Sequence, residues 1–156
     1  SEAHRSAPEL DLLRLGAFEP YGLSGVMRRY AETKLLLVAW ALELARRAPA
    51  LSVAAICPGP VASDLAREAP SLFQPLLKPI MRSFAAPEVA ARPIEWLAAA
   101  RAVDGRSGLY LHRWQEKDPS PVAADPAFGA RLWEATHDLL AAHAPRPDAE
   151  RSSDER

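Results

Sequence analysis

The sequence predicts an α/β fold in which helices cover both faces of a parallel sheet. Two short apolar runs that favour β-structure alternate with long helical patterns. Both runs are mostly apolar, as expected of strands that are buried on two faces. A pair of parallel strands is a poor independent unit, since stable sheets normally have three or more. We therefore expect the sheet to be incomplete, with its N-terminal half missing from this chain.

The first half of the chain is predicted as a long loop, a buried helix and a strand. Residues 1–29 carry scattered glycines and prolines, which are typical of a structured loop. Over 28–47 the apolar residues cover more than one narrow stripe, so the helix is expected to be buried on more than one side. The run "LSVAAICPGP" at 51–60 predicts a buried strand that ends in a Pro-Gly-Pro turn.

The second half begins with an irregular apolar segment at 64–84, where three prolines indicate broken helical turns. A helix is predicted at 86–101, with Pro87 in its first turn. Trp96 in this helix is expected in the core, as are Trp40 and Trp133. The remaining predictions are a strand at 107–112, an amphipathic helix at 126–143 and a disordered charged tail at 144–156, which leaves 1–143 as the domain.

Composition and charge exclude several classes of function. The 156 residues are 49% hydrophobic and 25% charged, as in an ordinary globular domain, and the net charge of -1 gives no case for nucleic acid. The longest apolar stretch, 35–44, is interrupted by Glu43 and is shorter than the ~20 residues of a membrane span. Cys57 stands alone and favours a buried structural role in a cytoplasmic protein. The four histidines lack the spacing of metal ligands, so no metal site is predicted.

The stretch "YAETK" places Tyr30 and Lys34 four residues apart at the start of the first helix. Residues i and i+4 lie on the same helix face, so the phenol and the ammonium group can share one space. A free phenol holds its proton up to a pH of about 10, and a nearby positive charge favours the phenolate. The pair is therefore either a device for moving protons or a chance arrangement on a helix surface.

Four stretches of the sequence resemble the short-chain dehydrogenase/reductase family. They are "SEAH" at 1–4, "YAETK" at 30–34, "CPGPVAS" at 57–63, and 108–134, which resembles the retinol-dehydrogenase-like branch with its WW-domain oxidoreductase relatives. The resemblance implies the C-terminal part of a Rossmann-type, doubly wound parallel sheet. It also implies an NAD(P)-dependent oxidoreductase that interconverts an alcohol and a carbonyl by hydride transfer.

The resemblance assigns three catalytic residues. Ser1 matches the serine that holds the substrate carbonyl, unless this first residue is only an arbitrary chain boundary. Tyr30 matches the general acid/base, and Lys34 both favours the phenolate and bonds the nicotinamide ribose. The residue before the lysine is usually serine in the family and is Thr33 here.

The loop after the first predicted strand resembles the family's cofactor loop. Pro58, Gly59, Val61 and Ser63 are the implied contacts to the nicotinamide carboxamide, although a simple turn would explain the same residues. The segment after it is predicted as a mobile lid over an apolar alcohol or carbonyl substrate, or else as permanent packing on the helix at 86–101. Its expected lid residues are Leu65, Leu72, Phe73, Leu77 and Met81.

Several family features are absent from these 156 residues. The sequence has no glycine-rich phosphate loop, no residue to distinguish NAD from NADP and no catalytic asparagine. The chain alone is therefore expected to bind neither cofactor and to be inactive. The alternative function is a catalytically silent remnant that acts as an interaction module, with its apolar helices suited to forming a homodimer.

Overall fold

The computed structural model describes residues 2–8, 10–17, 20, 22–62 and 83–143. Within these ranges, short 3-10 turns lie at Glu2–Ser6, Leu12–Arg14 and Arg101–Val103. The helices and strands, in chain order, are α1 (Leu23–Arg47), β1 (Ala54–Cys57), α2 (Pro87–Ala99), β2 (Leu109–His112), β3 (Gln115–Glu116), α3 (Pro121–Ala124) and α4 (Pro126–His143).

The described sheet is mixed, with strand order β1-β2-β3. β1 and β2 run parallel, with Ala54 opposite Leu109 and Cys57 opposite His112. The predicted parallel pair is therefore confirmed. The expectation of a purely parallel sheet is wrong, because β3 pairs antiparallel with β2. Two residues at 113–114 turn the chain straight back, and only antiparallel neighbours can be joined by so short a connection.

The predicted helix bounds agree best with the structure where a residue at the start of the helix marks its N-terminus. α2 begins at Pro87 and α4 spans 126–143, both as predicted. Asp125 caps α4, since its carboxylate accepts hydrogen bonds from the N–H groups of Ala127 and Phe128. α1 begins at Leu23, five residues before the predicted start, and its N-cap residue, Gly22, offers no side-chain bond.

The core lies where α1 meets the sheet and α4. α1 packs against β1, α3, α4 and the first 3-10 turn, Glu2–Ser6, which is called the first turn below. Burial on more than one side is thus confirmed, although Met27 and Leu37 remain 67% and 59% exposed. The main buried cluster comprises Leu35, Val38, Ala39, Leu42, Cys57, Tyr110, Ala123, Phe128 and Leu132.

The tryptophans divide into two pairs. Trp40 stacks on Trp133 with ring centroids 5.0 Å apart, which joins α1 to α4. Trp96 contacts Trp114 edge to face at 6.1 Å. Trp96 is 37% exposed, so its predicted place in the core is wrong. α2 instead buries Ala90 and Pro93, and the Trp96 indole stays at the surface.

α1 carries two buried carboxylates, each neutralised within the helix. Glu32 is 4% exposed and accepts hydrogen bonds of 2.9 Å from both Arg28 and Arg29. Glu43 pairs in the same way with the arginines three and four residues further on. Burial raises the pKa of the Glu32 carboxyl, but the hydrogen bonds and charges of the two arginines outweigh burial and hold that pKa below its ordinary value.

Several predictions fall outside the described residues. They concern Ser1, Ser63, the five lid residues and the charged tail at 144–156, together with the domain boundary before the tail. Among the described helices, none combines the length and apolarity needed to cross a bilayer.

Candidate active site

Tyr30 and Lys34 lie together near the start of α1, as their spacing predicts. Both side chains are half-buried, and the Lys34 Nζ atom lies 5.2 Å from the centroid of the Tyr30 ring. That distance is within the range of a cation–π contact. The Thr33 hydroxyl donates to the Tyr30 carbonyl oxygen at 2.8 Å, so it is engaged with its own helix. The ammonium charge therefore stands close to the phenol.

The predicted cofactor loop leaves β1 at the carboxyl end of the sheet. Gly59 has φ +86°, a backbone conformation that favours glycine. Beyond it, Val61 forms a parallel bridge with Ala85, and the Ala62 N–H donates to the Ala85 carbonyl at 2.9 Å. The loop from Pro58 to Val61 is thus held by backbone bonds on its far side. Ligands in open α/β sheets bind at this edge.

Arg113 covers Gly59 from the neighbouring strand. The Arg113 N–H donates to the Cys57 carbonyl at 2.7 Å, which fixes the end of β2 beside the end of β1. A Cβ on Gly59 would lie 2.7 Å from the Arg113 Nε atom, so the guanidinium group would have to move to admit any side chain there. The sequence did not single out Arg113. Only its position could have indicated a role at this edge, since Arg113 is the first residue after the second predicted strand.

The elements that precede or carry the predicted site residues pack against one another. The first turn, Glu2–Ser6, packs against α1, and α1 packs against β1. Leu35, the neighbour of Lys34, shares the buried cluster with Cys57, the residue that leads into the cofactor loop. Tyr30 and Lys34 thus lie on a helix that packs against the first turn and against β1, the strand that precedes Pro58, Gly59 and Val61.

Glu2, the residue after the predicted catalytic serine, lies in a network of polar groups. Its carboxylate accepts a 2.8 Å hydrogen bond from the Tyr110 hydroxyl. Charged neighbours are Arg5 at 3.3 Å and Lys117 at 3.5 Å, and the His112 Nδ1 atom lies 3.7 Å away. Burial raises the pKa of the Glu2 carboxyl, but the Tyr110 bond and these charges outweigh burial and leave the pKa below its ordinary value. Burial, and then the bond to Glu2, raise the pKa of Tyr110.

His4 is a structural histidine rather than a metal ligand. It is 1% exposed, and its Nε2 atom accepts the Ser120 N–H at 3.0 Å. Its ring meets Tyr110 edge to face, with centroids 4.9 Å apart. Ser120 also caps α3, a helix that was not predicted although Ser-Pro is a helix-start signal. In the described part of the chain, no group of three His, Cys, Asp or Glu side chains could hold a metal ion.

Comparison with known proteins gives no matching family model. The chain is 36% identical to human dehydrogenase/reductase SDR family member 13 over 82% of its length and 35% of that protein. It is 35% identical to the same protein of Bos taurus, over 99% of the chain and 41% of the relative. It is 32% identical to human retinol dehydrogenase 13, over 74% of the chain and 37% of that protein. The chain thus spans well under half the length of these curated relatives.

Proposed function

The chain belongs to the short-chain dehydrogenase/reductase family, and from this membership we propose that it carries the proton-transfer part of an NAD(P)-dependent oxidoreductase. The reaction is the interconversion of an alcohol and a carbonyl. The observation that supports it best is the Lys34 ammonium, 5.2 Å from the centre of the Tyr30 ring. The oxygen atom of such a substrate must gain or lose a proton during the reaction, and an acid/base pair of this kind can supply or remove that proton.

In the direction of reduction, Tyr30 donates its phenolic proton to the carbonyl oxygen as a hydride reaches the carbonyl carbon. The phenolate that forms is stabilised by Coulomb attraction to the Lys34 ammonium. In the direction of oxidation, the phenolate takes the proton of the alcohol. The hydroxyl of Ser1 is proposed to hold the substrate oxygen in line with Tyr30.

NAD or NADP is the proposed cofactor, and when bound it supplies or accepts the hydride. The loop after β1 is proposed to contact the nicotinamide carboxamide. The backbone bonds to Ala85 hold this loop in place, and Gly59 lets the Arg113 side chain pack closely over it. Pro58, Val61 and Ser63 are the other proposed contacts. No residue is proposed for the pyrophosphate, since the sequence has no glycine-rich phosphate loop.

The proposed substrate is a small apolar alcohol or carbonyl compound. The proposal rests on the apolar segment that follows the cofactor loop and on a relative named retinol dehydrogenase 13. Apolar contacts there would discriminate by size, at about 1–3 kcal/mol for each methylene group in a close-fitting pocket.

A direct test uses a full-length protein that carries this sequence. It is incubated with apolar aldehydes and with NADH or NADPH deuterated at the transferable position. We expect deuterium on the carbinol carbon of the product alcohol, with one of the two cofactors preferred. Lys34→Ala should weaken both turnover and cofactor affinity, whereas Thr33→Ser, which keeps the hydroxyl, should change neither. Deuterium that stays in the cofactor for every substrate class would refute the proposal.

A non-catalytic interaction module is the second candidate function. It is favoured by the exposed apolar side chains of α1, Met27 and Leu37, which would suit a partner or a second copy of the chain. Sedimentation of the chain separates the two candidates. A self-association that Met27→Ser and Leu37→Ser abolish, in a protein without turnover, would favour the module.

A further inference from the structure

We propose that Glu2 is a positioning residue, which fastens the first turn to β2 and thereby fixes where the preceding serine presents its hydroxyl to the substrate. This inference rests on the proposed function, in which Ser1 holds the substrate oxygen. It assigns to Glu2 no contact with the substrate. Its role depends on the groups that surround its carboxylate.

The central contact is the hydrogen bond from the Tyr110 hydroxyl to Glu2. Tyr110 is 1% exposed and belongs to the main buried cluster, so its ring cannot follow a moving partner. The 2.8 Å bond therefore ties Glu2 to the rigid centre of β2. A bond between a hydroxyl and a carboxylate is charge-assisted and stronger than a neutral one.

Two cationic groups and an imidazole complete the anchor from three directions. Arg5 approaches from the first turn itself, Lys117 from the segment after β3, and His112 from the same face of β2 as Tyr110. Among the described residues, the buried His112 Nδ1 atom has no hydrogen-bond partner, and it lies 3.7 Å from a Glu2 carboxylate oxygen. The Glu2 carboxylate thus joins the first turn to β2 and to the segment after β3.

The far end of the first turn has its own anchors. His4 accepts the Ser120 N–H at 3.0 Å, and the Arg5 guanidinium donates to the Asp118 carbonyl. The His4 bond does not involve Glu2, whereas Arg5 also pairs with the Glu2 carboxylate. Loss of the Glu2 carboxylate should therefore loosen the beginning of the turn and leave the rest of the fold in place.

One peptide bond separates Glu2 from Ser1, and consecutive Cα atoms lie ~3.8 Å apart. A shift of the Glu2 backbone is therefore passed directly to the serine hydroxyl. Misplacement of a reacting group by about 1 Å can cost ~10²-fold in rate. The loss is expected in kcat and not in the cofactor KM, because the proposed cofactor contacts lie on other elements.

The test measures kcat and KM in the full-length protein for wild type, Glu2→Ala, Glu2→Gln and Tyr110→Phe. Glu2→Ala should lower kcat about 10–100-fold with little change in the cofactor KM. Glu2→Gln should recover most of this loss, because its amide oxygen still accepts the Tyr110 hydrogen bond. Tyr110→Phe, which removes the donor, should resemble Glu2→Ala. Glu116→Gln is the matched control, since it removes an exposed carboxylate of β3 that pairs with Arg106.

Equal kcat values for Glu2→Ala and Glu116→Gln would overturn the proposal. So would a Glu2→Gln variant as slow as Glu2→Ala, or a fall in kcat that only mirrors a lower melting temperature.

A second readout does not depend on turnover. In the 156-residue chain, ultraviolet titration should show the Tyr110 phenol ionising at lower pH in Glu2→Ala than in wild type, with Tyr110→Phe as the reference. If this shift is seen but wild type turns over no substrate, the proposed function and the positioning role both fail, and only the contact stands. If wild type turns over substrate and Glu2→Ala does so equally well, the positioning role alone is overturned.

Discussion

At the scale of single residues, Gly59 and Arg113 are fitted to each other across the carboxyl edge of the sheet. Gly59→Ala adds a left-handed backbone strain of about 1–2 kcal/mol and displaces the Arg113 guanidinium group. We expect a lower melting temperature and weaker cofactor binding in the full-length protein. Calorimetry and fluorescence titration measure the two effects.

Gly105→Ala is the matched control for this change. Gly105 also has positive φ, at +72°, but a Cβ there meets nothing within 4 Å. This variant should show the strain alone, with cofactor affinity unchanged. Identical results for Gly59→Ala and Gly105→Ala would mean that the contact with Arg113 has no part in shaping the loop.

Glu32 gives α1 a stability that depends on pH. Its folded pKa lies below the ordinary value of 4.5, so its contribution is complete above about pH 4.5 and is lost as pH falls through the folded pKa. We expect Glu32→Gln to be less stable than wild type by about 1–3 kcal/mol at pH 7. The difference should shrink below pH 4.5. Urea unfolding of both proteins at several pH values measures it.

The exposed pair of Glu116 and Arg106 again supplies the control, since Glu116→Gln should cost only ~0–1 kcal/mol. A difference between wild type and Glu32→Gln that stays constant from pH 7 to pH 3 would show that Glu32 contributes through packing rather than charge.

The sequence could predict those parts of the candidate site that are local. Tyr30 and Lys34 share a face because helix geometry alone puts them there, and the structure confirms this contact. The bond between Glu2 and Tyr110 joins residues 108 apart, and no periodicity or motif specifies such a pair. Arg113 was missed for the same reason, since its contact with Gly59 exists only once β1 and β2 lie side by side.

At the scale of elements, the long helices were predictable and the short pieces were not. α4 has a strong period and a local cap, so its bounds follow from sequence. α1 begins before Gly25, and Gly22 is its N-cap residue. Glycine has low helix propensity, so the residues at this end do not indicate the start of a helix. β3 has two residues and α3 has four, too few for any period to show.

The element after the cofactor loop is predicted to cover the substrate. Phe73→Ala together with Leu77→Ala should raise KM for long or ring-bearing substrates, by about 1–3 kcal/mol of lost contact, and much less for short ones. Leu37→Ala, which removes an exposed apolar side chain from α1, is the control and should change neither KM. Equal effects on both substrate sizes, or lower thermal stability with unchanged KM, would assign the segment to the core.

At the scale of the whole molecule, the family and the parallel pair of strands were predictable, and the mixed character of the sheet was not. The parallel pair follows from two apolar runs separated by a helix. The absence of a glycine-rich loop from the sequence leads to one further expectation. The 156-residue chain alone should show no saturable binding of NADH or NADPH at micromolar concentration in a fluorescence titration.

The proposed role of Tyr30 in hydride transfer is to move the proton, and Tyr30→Phe examines this role. The variant removes one oxygen atom and leaves the ring beside Lys34. In the full-length protein, the rate of a single turnover should fall about 10²–10⁴-fold, while the Kd of the cofactor stays close to that of wild type. A Tyr30→Phe protein that keeps a third of its rate would contradict the account.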